Sequence, residues 1–549
     1  MKKRKRVIWT VVLIVIIAAI AVAVSVGLRK KENPAEAVPK EQVREAFELL
    51  SSSLSFETVR YQEYISGREL RDDLTDTTAE PSDGQKEVAL DYEQTVTYLA
   101  NVPEAGMYSL GIDYHTGGSN LSDYRLDVKI NGESYFEEMS MITLPLLWQD
   151  ETKDFPKDRY GDETAPAQNR VDDWQYRDFY NTSYYTADPL YFYLEKGENT
   201  IEISNISADG LMVGTLYVNA PKGKLPSYEE YCTMHEGEQA SDFIEINSVD
   251  YAEKNSTSAL LSYVNNPSLK PHDSEYKELN IVSWKTAGVE VEYEFEVAQT
   301  GFYQLALHYK NEKEDFQVFE SIYLDGEIPF EELKNYGFDT TDTSFRNEVL
   351  SDSEGNPYQI YLEAGHHTMT IHSEMEPVNE EWRYSRLIAE HVTQFALEIK
   401  KITGADIDEY RSWYMTRYIP EIVPYLNAYE TLIRSMQSTL QGYAPNGVES
   451  AKLSELNRAL GIIEKLKEYP DEIALYTQNL TGSSVSTDNS ILKLMGDFTT
   501  NISTQPFALD RIYIYGNETL PKETPGAAKS LLNGTKTLLL SLIHISEPT

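Results

Sequence analysis

This 549-residue chain is short of cysteine, of positive charge and of catalytic signatures. A single cysteine, Cys232, excludes an intrachain disulfide and any four-thiolate metal site. Lys and Arg number 48 against 89 Asp and Glu, giving a formal net charge of -41. Eight of the positives (Lys2, Lys3, Arg4, Lys5, Arg6, Arg29, Lys30, Lys31) lie before residue 32, so the remainder is still more acidic. A surface of that sign repels phosphate backbones, and nucleic acid is excluded as a partner. There is no Gly-x-Ser-x-Gly elbow, P-loop or His-Glu-x-x-His helix; His366, His367 and His372 sit in a turn-strand block and read as solvated strand residues. No enzyme is expected. What the chain has in excess is tyrosine, 39 against 17 Phe and 6 Trp. A phenol combines a flat apolar face with a hydroxyl that tolerates water, which suits β-sandwiches and sugar-facing surfaces.

Residues 7–28 form an uncharged, almost wholly apolar run behind a basic cluster. At 1.5 Å per residue, 22 residues just cross the ~30 Å hydrocarbon layer as a helix. Residues 1–31 are therefore expected to be a transmembrane signal-anchor. Five positives precede the run and three follow it, which keeps the amino terminus inside and the bulk of the chain outside a cell membrane. Ala21-Val22-Ala23 offers the alternative of a cleaved signal, but the run exceeds an ordinary h-region of about 7–15 residues. Residues 32–55 read as a short, partly helical stalk.

An internal repeat organises the middle of the chain. Gly106-Met107-Tyr108-Ser109-Leu110, running on to Tyr114, recurs as Gly301-Phe302-Tyr303-Gln304-Leu305, running on to Tyr309. Ile130-Asn131-Gly132-Glu133 recurs as Leu324-Asp325-Gly326-Glu327, and Leu194-Glu195-Lys196-Gly197 as Leu362-Glu363-Ala364-Gly365. Alternating apolar residues predict half-buried strands, and Asn-Gly and Asp-Gly predict hairpin turns. The last block lies closer to its copy, so the first copy carries a longer loop between residues 144 and 188. The fold class expected is multidomain: a transmembrane helix, two tandem all-β jelly-roll or β-sandwich domains (56–222 and 228–402), and a mainly α carboxyl-terminal region.

These blocks resemble jelly-roll carbohydrate-binding modules. The resemblance covers about 330 residues and speaks for the fold; every residue in it has a core or turn role. An oligo- or polysaccharide ligand is what it implies. Such a ligand needs an exposed ring flanked by polar groups, and the long loop of the first copy holds Trp148, then Trp174, Tyr176, Arg177, Asp178, Tyr180 and Asn181. The second copy offers Trp382 and Arg383, taken as a late loop, while Trp284 reads as core. Modules of this family often hold a structural Ca²⁺ through acidic residues of the first strand; Glu245 is the matching position, and no other cofactor is implied.

From residue 405 the apolar period changes to steps of four and three, predicting helices over 422–440, 453–466 and 491–500, then a strand over 505–516. This ordered set resembles the segment ahead of the ligand-binding domain in extracellular solute-binding proteins of carbohydrate ABC importers. On that resemblance residues 405–540 are a helical linker to a domain beyond the chain, with permease subunits as possible partners, and residues 541–549 read as a non-native tail. The function expected is a membrane-anchored extracellular glycan-binding fragment of an importer's binding protein. The alternatives are non-catalytic spacer modules or the accessory half of a surface glycosidase.

Overall fold

The computed structural model describes residues 38–54, 59–117, 120–181, 188–273, 275–313, 316–341, 344–404, 407–408, 410–444, 451–482 and 489–523. The apolar run 7–28 and the tail 541–549 lie outside these residues. No helix among the described residues is long and apolar enough to cross a membrane. What the structure shows is two β-sandwiches and a helical bundle.

In the first sandwich a four-stranded antiparallel sheet runs in the order Thr95–Val102, Gly197–Asn205, Tyr124–Ile130, Ile142–Leu144. It faces a six-stranded sheet centred on Gly106–Thr116 and Leu211–Asn219. Alternation along each strand puts one face in the core. Tyr98, Tyr108, Tyr114 and Tyr124 are fully buried there. Each needs a partner for its hydroxyl in a medium without water: Tyr98 donates to the Gly214 carbonyl at 2.8 Å and Tyr114 to that of Pro145 at 2.9 Å. Much of the tyrosine excess thus serves the interior. The hairpin turns form as their sequences demand, with Asn131 and Gly132, and likewise Asp325 and Gly326, all at positive φ.

The second sandwich repeats this plan with one change. In the first, a short turn carries the chain from Gly197–Asn205 in the four-stranded sheet across to Leu211–Asn219 in the six-stranded one. In the second, Gly365–Glu374 leads into a bundle of Asn379–Thr403, Ile422–Gly442, Ala451–Glu468 and Ile491–Ile502 before the chain returns as Thr504–Tyr515. That returning strand lies between Ile281–Thr286 and Gly301–Lys310 in the middle of a seven-stranded sheet. The boundaries expected at 402 and 405 therefore change: residues 379–403 are helix, and 504–515 complete the sandwich. Asp510 on the returning strand is wholly buried and bonds His308 Nδ1 and Arg511 Nε, both at 2.6 Å, and the Lys270 amide at 3.1 Å.

The expected stalk also differs. Helix Lys40–Ser53 buries Val43, Ala46 and Leu50 in the core of the bundle. Phe47 packs on Tyr384 with ring centroids 6.0 Å apart, so this segment is docked, not free.

Candidate functional site

The two sandwiches are joined by the long loop of the first. Its strands Trp148–Asp150 and Gln168–Arg170 extend the second sandwich's other seven-stranded sheet, Trp148 pairing with Lys254. Trp148 is only 7% exposed at this seam, which corrects its expected role as an open plate. Arg177 is likewise committed. Its guanidinium makes a two-pronged bond to Glu290 of the second sandwich, at 2.8 and 2.9 Å, and lies 4.9 Å from the Tyr180 ring. Burial alone would raise the Glu290 carboxyl, but Arg177 and His372 together hold it below its usual range. Burial opposes charge on His372, yet Glu374 and Glu290 outweigh it and hold the imidazole above its ordinary value. His372 and His367 are buried rather than solvated, and His367 Nδ1 meets Asp325 at 2.7 Å. Asn181 is buried as well, out of a ligand's reach.

Trp382 and Arg383 lie on helix Asn379–Thr403, not in a loop. Trp382 is 8% exposed, with the Arg386 guanidinium 4.7 Å over its ring, and Arg383 covers Phe47 at 5.2 Å. Both belong to bundle packing. Trp284 is core, donating from Nε1 to Glu320 at 3.2 Å. Glu245 is the counter-ion of two cations, Lys270 Nζ at 2.8 Å and Arg511 at 3.5 Å. A carboxylate so paired does not suit a Ca²⁺ ligand, which needs six to eight oxygens. Among the described residues no three His, Cys, Asp or Glu are grouped to hold a metal.

Two of the sequence candidates remain open, and they lie together. Trp174 is 38% and Tyr176 46% exposed. They alternate along the chain into strand Gln175–Asp178, which pairs with Gly106–Thr116 so that Tyr176 stands beside Asp113 on the outer face of the six-stranded sheet. Glycines make this possible. A Cβ on Gly111 would fall 2.3 Å from Tyr176 Oη, and one on Gly214 would fall 3.3 Å from the Trp174 ring. Both aromatic rings therefore lie directly on the sheet backbone.

Polar groups ring the plate. Tyr176 donates to Asp178 at 2.5 Å and accepts from Asn219 Nδ2 at 3.0 Å. Tyr217 meets Tyr176 edge-on, with centroids 5.1 Å apart, and donates to Asp113 at 3.0 Å. Burial and Asp178 raise the Tyr176 phenol; the hydrogen bond to Asp113 raises that of Tyr217. Both phenols stay protonated and hold the carboxylates in place. Asp113, Tyr217 and Asn219 were not singled out in the sequence. Asp113 lies two residues after Gly111 on the outward face of a repeat strand, whereas Tyr217 and Asn219 lie on Leu211–Asn219, which the repeat does not mark.

Residues 383–502, the inserted helices, match the family described as bacterial solute-binding protein, 4-helix bundle domain. No curated protein matches the chain. Among solved structures, the native family 35 carbohydrate binding module of Clostridium thermocellum is 14% identical over 27% of this chain and 99% of its own, with a TM-score of 0.17. A CBM35 of Cellvibrio japonicus is 15% identical over 27% and 95%, with a TM-score of 0.16. The Podospora anserina GH26-CBM35 β-(1,4)-mannanase is 14% identical over 29% of this chain and 30% of its own, with a TM-score of 0.16. None of these structural likenesses is deep enough to assign a ligand. The family likeness of this chain is that of its inserted bundle, which is similar to the helical domain of bacterial solute-binding proteins.

Proposed function

We propose that this chain is the outward-facing, non-catalytic glycan-binding part of a carbohydrate importer's binding protein, held at the membrane by residues 7–28. One observation carries the binding: Trp174 and Tyr176 lie open over Gly214 and Gly111, rimmed by Asp113, Asp178 and Asn219. A sugar has apolar C–H faces and a polar rim, which this plate matches by stacking and by hydrogen bonds to fixed carboxylates. The link to solute uptake is supported by the bundle match over residues 383–502. Trp174→Ala is expected to weaken binding on a glycan array at least tenfold while the melting temperature stays unchanged. Undiminished binding by the folded variant would refute the site.

A second reading has its own support. The Trp148–Lys254 pairing and the Arg177–Glu290 bond fasten the sandwiches to one another, as a rigid spacer requires. That reading predicts no saccharide binding by the wild-type chain.

A further inference from the structure

A groove of about 630 Å³ opens where the outer edge of the first sandwich's four-stranded sheet meets the second sandwich. Its strands belong to a different sheet from the one that carries the Trp174 plate. Its size is in the range of clefts that enclose a small ligand. We propose that this groove is a second saccharide site, formed only by the two sandwiches together, for a short uncharged oligosaccharide. The ligand class rests on the polyol reading above; the site does not.

The lining gives the chemistry. Arg125 and Thr143 stand opposite each other on paired strands, and Asp123 precedes them; Ser256 and Thr257 come from the second sandwich. Burial raises the Asp123 carboxyl, and the Leu146 amide and the Arg125 guanidinium pull against that rise. Asp123 spends one oxygen on the Leu146 amide, at 3.0 Å. A cation and a carboxylate side by side, with hydroxyls around them, can bridge neighbouring sugar hydroxyls by charge-assisted bonds. Leu121, Met141 and Ile206 form an exposed aliphatic rim for the C–H faces. The local charges cancel and the chain is strongly negative overall, so a polyanion is disfavoured and a neutral saccharide is not.

The walls are fixed before any ligand arrives. Trp148 forms part of the lining while its strand pairs with Lys254. Beside it, the Asn255 amide donates to the Gly288 carbonyl at 2.8 Å and accepts from the Glu290 amide at 2.9 Å. Glu290 is also the partner of Arg177. A preformed cleft spends little binding energy on ordering.

The test is calorimetric titration of the full chain with neutral cello-, xylo-, manno- and malto-oligosaccharides. Trp174→Ala/Tyr176→Ala is expected to retain 1:1 binding of at least one of them. Adding Arg125→Ala is expected to weaken that residual binding at least tenfold. Adding Thr257→Trp, which fills the groove, is expected to abolish it, with circular dichroism and melting preserved in both. If the double variant binds nothing while the wild type binds, the groove is not a site and the plate stands. If Thr257→Trp removes all binding and the double variant removes none, the plate fails and the groove stands. Residual binding that neither Arg125→Ala nor Thr257→Trp changes, or a wild type that binds none of the four, also overturns the proposal.

Discussion

Replacing Arg177 by Met separates two roles open to this residue, ligand contact and inter-sandwich tie. The sequence places it in a sugar-facing loop; the structure spends it on Glu290 across the inter-sandwich seam. Both side chains are largely withdrawn from water, at 16% and 18% exposure. Removing one member of a buried pair costs about 3–5 kcal/mol, because the other is left charged in a poor solvent. Here the residual exposure and the neighbouring His372, 3.7 Å from Glu290, reduce this to about 2–3 kcal/mol. Scanning calorimetry should show the loss as a lowered and split transition, since the sandwiches then melt less as one unit. In a double-mutant cycle, Glu290→Gln should recover part of the loss by removing the orphaned charge. Saccharide affinity should change less than twofold. Unchanged melting together with abolished binding would refute this assignment and return Arg177 to a ligand.

Three further outcomes follow from the same geometry. Gly111→Ala should push Tyr176 off the sheet and lower saccharide affinity by about 1–2 kcal/mol, the order lost when a close-packed site is overfilled, as read by titration. Glu381 is buried on the bundle and its carboxyl is raised by burial to about 7. A folded value above the unfolded ~4.3 means that its contribution is intact below pH 4 and is lost as pH rises through 7. Glu381→Gln should therefore stabilise the chain by about 2–3 kcal/mol at pH 8 and not at pH 4, in denaturant titrations. A fragment ending at residue 402 should give no cooperative second sandwich, whereas one ending at residue 523 should. A sharp calorimetric transition for the shorter fragment would contradict the strand assignment.

The sandwiches were legible because their repeat carries turn glycines and period-two alternation, both of which are local. The plate was half legible: Trp174 and Tyr176 stand out by composition, while Asp113, Tyr217 and Asn219 belong to it only through strand pairing. Trp148, Arg177 and Asn181 look identical to binding residues in sequence, and only tertiary contacts consume them. Helix Asn379–Thr403 abuts the second sandwich's last repeat block in sequence, and only the steps of three and four kept by Trp382, Ser385, Ile388, Val392, Phe395 and Ile399 mark it off. One part of the repeat has no periodic signature in the sequence. Tyr61 and Tyr64 accept from the edge amides of Tyr191 and Tyr193, as Tyr228 and Tyr231 do from Gln359 and Tyr361. Each short Tyr-x-x-Tyr helix seals a sheet edge against stray pairing, and helices of five and seven residues are too short for periodicity to reveal.

The detour between Gly365–Glu374 and Thr504–Tyr515 sets an order of events during synthesis. The second sandwich lacks a central strand until residue 515 has emerged, so its apolar interior stays unsealed while the helices condense first. Ring closure over so long a segment is slow compared with local helix formation. The nascent chain thus has a window in which two rows of unpaired amides wait for one late arrival, and lesions in the helices would surface as aggregation of the sheet.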